Sequence, residues 1–306
     1  MIETIIVTGG EGFVGSELIK YLYDNTNLKI VSFDALLTGI RRERIKSSRV
    51  EYIIVTPGNL GKTVENYLDR HVNFDENVTT IFHFGEYSRV VPSLKNVNTV
   101  IRSNVYDTNY IINLCRIYRL KLIYSASSTR FDTQSEVNQE LINKTPYSYF
   151  KSQAVETIKN FGKWFGLNYN IAYFYNVYGD NQVETGEYAT VIGIWLHQHR
   201  TGHPITIIGD GTQTRDFTHI DDIINGLYLI YLNGKSSHEY HLGTGKDYSI
   251  NQVAKLFVDK GDKLEYKEYL DCERKGGRAP LDNLAKDELG WESKHNILDY
   301  IKSKLK

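Results

Sequence analysis

A tyrosine and a lysine stand four apart in TPYSYFKSQA, Tyr147 and Lys151. On a helix that spacing brings both side chains to one face. An ammonium beside a phenol favours the phenolate. A phenolate is a base that can take a proton from a hydroxyl. By itself the pair is also what an ordinary helix surface shows, so the rest of the chain must decide. Tyr149 lies in the same stretch but has no lysine one turn on, and is assigned to packing or to a pocket wall.

A second set of residues lies near the N-terminus. VTGGEGFVG places Gly9, Gly12 and Gly15 between a β-rich run and an amphipathic helical pattern. Small residues there let the backbone turn tightly and approach a pyrophosphate, and the helix start supplies N–H donors and a positive dipole end. Asp34 ends the second β-rich run, where an acid accepts hydrogen bonds from both adenosine ribose hydroxyls. Its charge repels a 2′-phosphate, which favours NAD, although Arg41 and Arg42 nearby keep NADP open.

Two other patterns carry no site. TPGNLGKT imitates a phosphate-binding loop, but Thr56 occupies the place of its first glycine. His197, His199 and His203 have no acid or cysteine to complete a metal set, and Thr201-Gly202 interrupts the helix between the last two. No metal is expected.

These groups need a scaffold. The chain has 306 residues, 41% of them hydrophobic, enough for one large or two modest domains. A net charge of −1 gives no bias toward nucleic acid or an anionic membrane. Cys115 and Cys272 lack metal-ligand spacing and read as free thiols, suited to a reducing cytoplasm. No apolar run approaches a membrane span, and MIETIIVTGG shows no leader pattern, so neither anchor nor signal peptide is expected.

TIIVTG, KIVSFD, VEYIIV, TIFHF, KLIYSAS and YNIAYFY read as strands. VGSELIKYLYD and NVYDTNYIINLCRIY read as helices between them. The alternation predicts an α/β fold with a doubly wound parallel sheet. The second half breaks the rhythm, with helices at 191–200 and at DDIINGLYLIYL, a short strand ITII, and a mixed tail through KDELGW. It reads as a smaller α/β cap. We expect a nucleotide-binding domain over 1–177, with about 215–243 returning to it, and a substrate-binding cap over 178–214 and 244–306.

With the glycine loop, Asp34 and Tyr147-x-x-x-Lys151 in this order, the chain resembles the extended short-chain dehydrogenase/reductase family. It looks most like the nucleotide-sugar branch of 4-epimerases and 4,6-dehydratases. YNVYGDNQ, LGTGKDYSI, LGW and above all GDGTQTRDFTHIDD fit that branch, and the likeness spans nearly the whole chain. The resemblance implies a Rossmann domain holding NAD through Gly9, Gly12, Phe13, Val14, Gly15, Asp34, Asn59, Leu60, Phe84, Gly85, Asn104, Ser125 and Lys151. Asn59 replaces the usual adenine-binding acid, and Asn104 matches a residue that supports the active-site strand.

The resemblance also implies that Tyr147 is the general base, that Lys151 binds the nicotinamide ribose, and that Ser127 is the third catalytic member. Ser127, Ser128, Glu86, Asn176, Arg215 and Arg274 would contact the substrate, the two arginines at its diphosphate; Arg278 could share Arg274's task. Dehydratases of the branch carry Asp-Glu where this chain has Ser128-Thr129, which argues against dehydration. Glu86 stands where relatives have a small residue. It can bond sugar hydroxyls, pair with Arg89 or assist a proton transfer. Phe131-Asp132 replaces the usual Tyr-Gly.

The implied reaction is oxidation at C4 of a nucleoside-diphosphate sugar with net 4-epimerisation. Net dehydrogenation or ketoreduction uses the same triad, and a non-catalytic NAD sensor is a distant rival. A homodimer through YDTNYIINLCRIY and SYFKSQAVETIKNFGKWF is implied as well.

Overall fold

A computed structural model describes residues 2–37, 44–71, 77–131, 136–269, 272, 274–281 and 284–306. Arg41, Arg42 and Asp132 lie outside the described residues.

The strands are β1 (Glu3–Thr8), β2 (Lys29–Asp34), β3 (Val50–Ile54), β4 (Asn77–His83), β5 (Lys121–Ser127) and β6 (Tyr169–Phe174), then β7 (Ile205–Ile208), β8 (Thr214–Asp216), β9 (His238–Leu242), β10 (Asp247–Ser249) and β11 (Leu264–Lys267). The helices are α1 (Phe13–Asn25), α2 (Leu60–His71), α3 (Val97–Val100), α4 (Thr108–Ile117), α5 (Gln139–Asn143) and α6 (Pro146–Phe165), then α7 (Val191–Thr201), α8 (Ile220–Asn233), α9 (Ile250–Val258), α10 (Leu284–Leu289) and α11 (Ile297–Lys304).

Seven parallel strands form the main sheet in the order β3-β2-β1-β4-β5-β6-β9. The order reverses between β1 and β4, and the cleft at the carboxyl ends of those strands is where such sheets take ligands. Central strands read as nearly continuous apolar runs because both faces are covered. Ile6, Val31 and Ile81 pack toward α2, α4 and α6 on one face. Ile5, Val7, Ile30 and Phe82 pack toward α1 and α8 on the other. Each such side chain is worth about 1.5–3 kcal/mol when fully buried, so both layers are needed to hold the sheet.

A separate core of Trp195, Ile205, Ile207, Val253, Phe257, Ile297 and Ile301 joins α7, α9 and α11 to the short strands. There β7 pairs with β11 and β8 with β10. A π-helical stretch, Ile101–Asp107, runs between α3 and α4. It was not foreseen from the sequence, where a helix is read only from Asn104 onward. Among the described residues no helix is long and apolar enough to cross a membrane.

Candidate active site

The opening pair is built by local chemistry. Thr145 accepts the N–H of Ser148 at 3.2 Å and Pro146 takes the first turn of α6, where its missing N–H costs nothing. This start places Tyr147 and Lys151 one turn apart, both buried. The Tyr147 N–H donates to Ser93 Oγ at 3.2 Å, tying the helix start to the loop after β4.

Lys151 meets an unexpected partner. Its Nζ is in a buried ion pair with Glu86, whose side chain is 1% exposed, and also donates to the Ser125 carbonyl at 2.6 Å. Glu86 further accepts from Thr108 Oγ1 at 2.8 Å and from Tyr124 OH at 3.1 Å. Of the roles open for Glu86, pairing with Arg89 is replaced by pairing with Lys151. Arg89 instead donates to the Tyr188 carbonyl.

Behind this pair, His83 bridges Thr8 Oγ1 at 2.7 Å and Thr108 Oγ1 at 3.0 Å. Burial lowers its pKa from 6.5 to about 4. The unfolded chain takes that proton near 6.5 and the folded chain refuses it until about 4, so this group's stabilisation of the fold falls as pH drops through that window. Near the middle of the window the slope is about 1.4 kcal/mol per pH unit. Urea unfolding between pH 7 and 5 should show a flatter dependence for His83→Gln than for the wild type; parallel curves would refute the assignment.

The glycine turn is a cradle. Gly9 has φ +73°, and a Cβ there would lie 2.7 Å from the Phe84 backbone. A Cβ on Gly15 would lie 2.2 Å from Gly9 O, so that position serves close packing of helix on strand. At Gly12 an added Cβ would meet Gly9 O at 3.1 Å and would otherwise project into open space along the cavity wall. Gly12 caps α1 without a side-chain bond. A pyrophosphate fits this arrangement of open backbone at a helix N-terminus. Asp34 accepts from Glu11 N at 2.8 Å and Leu36 N at 2.6 Å. A carboxylate has about four acceptor positions, and with the Gly12 N–H also turned to it Asp34 retains capacity for a ribose hydroxyl. Burial raises its pKa, opposed by the bonds from the Leu36, Glu11 and Gly12 N–H groups. Glu11, held by Arg44 at 2.5 Å, adds negative charge beside it.

One cavity of about 720 Å³ is lined by Gly9, Gly12, Phe13, Val14, Gly15, Asp34, Leu60, Phe84, Gly85 and Ser125 from the nucleotide set, and by Glu86, Ser127, Ser128, Tyr147, Lys151, Asn176, Arg215 and Arg274. Two expected cofactor residues are elsewhere. Asn59 is exposed at the start of α2 and Asn104 is buried behind the wall, its side chain bonding both the N–H and the carbonyl of Tyr87 at 2.8 and 2.9 Å. Tyr149 is 40% exposed and packs its ring against Phe150, outside the wall.

Ser127 Oγ accepts the Thr129 N–H at 3.2 Å, which begins a 3₁₀ turn at the end of β5. Arg274 donates to Ser128 O at 2.6 Å and Ser128 Oγ at 3.1 Å, reaching from the smaller part of the molecule to the turn after β5. Arg215 on β8 donates to Arg274 O at 2.9 Å. Asn176 has φ +28° and donates to Asp216 O at 2.8 Å. Buried Asp216 braces this region through Thr244, Gly245 and Ala279. Sequence reasoning named Arg89 only as a partner for Glu86, and missed Asp216 and Tyr188. Away from the cavity wall, His219, Asp221 and His295 have ligand atoms within 4.8 Å of one another, while His219 caps α8 and His295 pairs with Asp222.

Comparison with known proteins agrees with this geometry. The chain is 28% identical to a putative UDP-glucose 4-epimerase of Methanocaldococcus jannaschii, covering 97% of this chain and 96% of that one. It is 27% identical to dTDP-D-glucose 4,6-dehydratase of Dictyostelium discoideum over 84% of this chain and 62% of that one. The solved UDP-glucose 4-epimerase of Thermotoga maritima, crystallised with UDP-glucose, superposes with a TM-score of 0.85 at 22% identity, covering 99% and 97% of the two chains. The model of the NAD-dependent epimerase/dehydratase family matches residues 5–243. NAD is the cofactor, and the chain belongs to the NAD-dependent epimerase/dehydratase family.

Proposed function

We propose that the protein oxidises C4 of a nucleoside-diphosphate sugar and restores that carbon with the opposite configuration, a net 4-epimerisation. The observation that carries this reading is the meeting in one cavity of Tyr147, Lys151 and Ser127 with the glycine turn of the main sheet and the two arginines of the smaller part. Bound NAD supplies the acceptor for the C4 hydride. Tyr147 takes the proton of the C4 hydroxyl, and Ser127 donates to the same oxygen. Lys151 has three donors. One goes to Glu86 and one to Ser125 O, which leaves one for a ribose hydroxyl. Arg215 and Arg274 hold the diphosphate, for which planar guanidinium forks are suited.

Dehydration needs an acid and a base beyond this set. Ser128 and Thr129 supply neither, and Ser128 is engaged by Arg274. Of the acids on the cavity wall, Glu86 is enclosed and already bonded by Lys151, Thr108 and Tyr124, and Glu187 is held by Tyr87 and Asn96. The Methanocaldococcus relative is named for 4-epimerisation. A net dehydrogenase or ketoreductase would use the same groups. A panel of UDP-, GDP-, CDP- and dTDP-sugars with NAD, followed for NADH absorbance and sugar product, tests the reading. Interconversion of two sugars without free NADH is the expected result; NADH rising in step with a keto sugar would make the protein a dehydrogenase.

We propose a homodimer through α4 and α6. The two helices pack together, yet Tyr110 (37%), Ile117 (50%), Trp164 (64%) and Phe165 (55%) remain exposed on them. Sedimentation should give twice the chain mass of 35.3 kDa, and Trp164→Glu should shift it toward the monomer; a monomeric wild type would refute this assembly.

A further inference from the structure

Arg89 follows β4 in the loop that also carries Glu86, and lines the same cavity as Tyr147. Its Nε is enclosed and has no hydrogen-bond partner, while Nη2 donates to the Tyr188 carbonyl. Tyr147, Tyr188 and Tyr87 are the titratable groups that bear on it most, and the Glu187 carboxylate, which lines the same cavity, is engaged by Tyr87 and Asn96. Glu86, three residues away in sequence, is taken by Lys151. A half-buried guanidinium with an enclosed, unbonded Nε and no ion pair among the described residues is suited to an incoming anion.

Its position is built. Tyr87 OH and Asn96 both donate to Glu187, and the Tyr87 ring meets Tyr188 edge-on at 5.4 Å. Tyr87, Val100, Val183 and Tyr188 form a small core of their own beneath the loop. The carbonyl that holds Arg89 is thus fixed by packing, and the guanidinium is held at the wall. Fixed donors of this kind recognise a planar anion with little further loss of freedom.

We propose that Arg89 is the residue that recognises the sugar, taking a carboxylate carried by it, so that the substrate is a nucleoside-diphosphate uronate. The inference rests on the reaction proposed above and names the group that its sugar bears. The diphosphate has Arg215 and Arg274, from a different part of the chain. Arg89 acts on the Tyr147 end of the cavity, where the sugar must lie if Tyr147 is to reach its C4 hydroxyl. A neutral hexose would present only hydroxyls and leave the half-buried guanidinium without a counter-ion. A carboxylate satisfies the fork and neutralises it.

The test uses matched pairs that differ only in the carboxylate: UDP-glucose with UDP-glucuronate, and dTDP-glucose with dTDP-glucuronate. Binding is measured by calorimetry to the NAD-loaded Tyr147→Phe protein, in which chemistry is blocked, with and without Arg89→Gln or Arg89→Lys. In at least one pair the uronate should bind about tenfold or more tightly than its hexose. Arg89→Gln should remove that preference while changing hexose binding little, and Arg89→Lys should restore part of it. Equal binding within both pairs, or an Arg89→Gln loss of the same factor for hexose and uronate, would overturn the inference. In the wild type, turnover of hexose and uronate alike would leave the C4 reaction standing while this inference fails. Binding of neither pair would overturn this inference, while the four-nucleotide sugar panel decides the C4 reaction separately.

Discussion

Tyr147→Phe should lower turnover about a thousandfold while leaving the unfolding midpoint and NAD affinity near those of the wild type. General base catalysis by a positioned side chain is worth about 10²–10⁴-fold, and the change removes one oxygen. What holds the residue in place survives it. The ring stays buried at 8% exposure, and the backbone N–H still donates to Ser93 Oγ. The glycine turn and Asp34 belong to other elements and are untouched. Steady-state turnover alongside NAD titration separates this from a protein that only senses NAD, for which the substitution would change little.

The second large effect concerns stability. Glu86→Leu should cost about 3–5 kcal/mol, because removing one member of a buried ion pair leaves the other charge uncompensated. Glu86 and Lys151 are 1% and 7% exposed in their side chains, so water cannot take the partner's place. Tyr124 would also lose its acceptor, while Thr108 keeps the Ser103 carbonyl at 3.0 Å. The double variant Glu86→Leu/Lys151→Met should be more stable than Glu86→Leu, since two apolar groups replace two charges. Urea unfolding of the two single variants and the double variant reads the coupling. Additive losses would mean that the pair does not act as a unit.

The features legible in the sequence were local ones. The strand ITII and the strands leading to Gly9, Asp34 and Ser127 declare themselves by β-rich runs between helical patterns, and Tyr147-x-x-x-Lys151 by helical spacing and the Thr-Pro start of α6. The glycine turn was legible because each glycine answers a steric demand within a few residues or at the next strand. What escaped was set by tertiary packing. Glu86 meets Lys151 across 65 residues, and Arg89 meets Tyr188 across 99. No periodicity encodes such pairings, and a loop Glu-x-x-Arg suggests a local ion pair that the fold does not make. Asn104 shows the same limit. Its segment was found, but bracing Tyr87 from behind rather than facing the cavity depends on the π-helical stretch around it.

The central claim is that hydride leaves C4 and returns to C4. Turnover of a nucleoside-diphosphate sugar deuterated at C4 tests it directly, with the position of deuterium read by NMR. Both epimers should carry deuterium at C4, and none should accumulate in free NADH. Deuterium at C6 of a deoxy-keto product, or collected in released NADH, would contradict it.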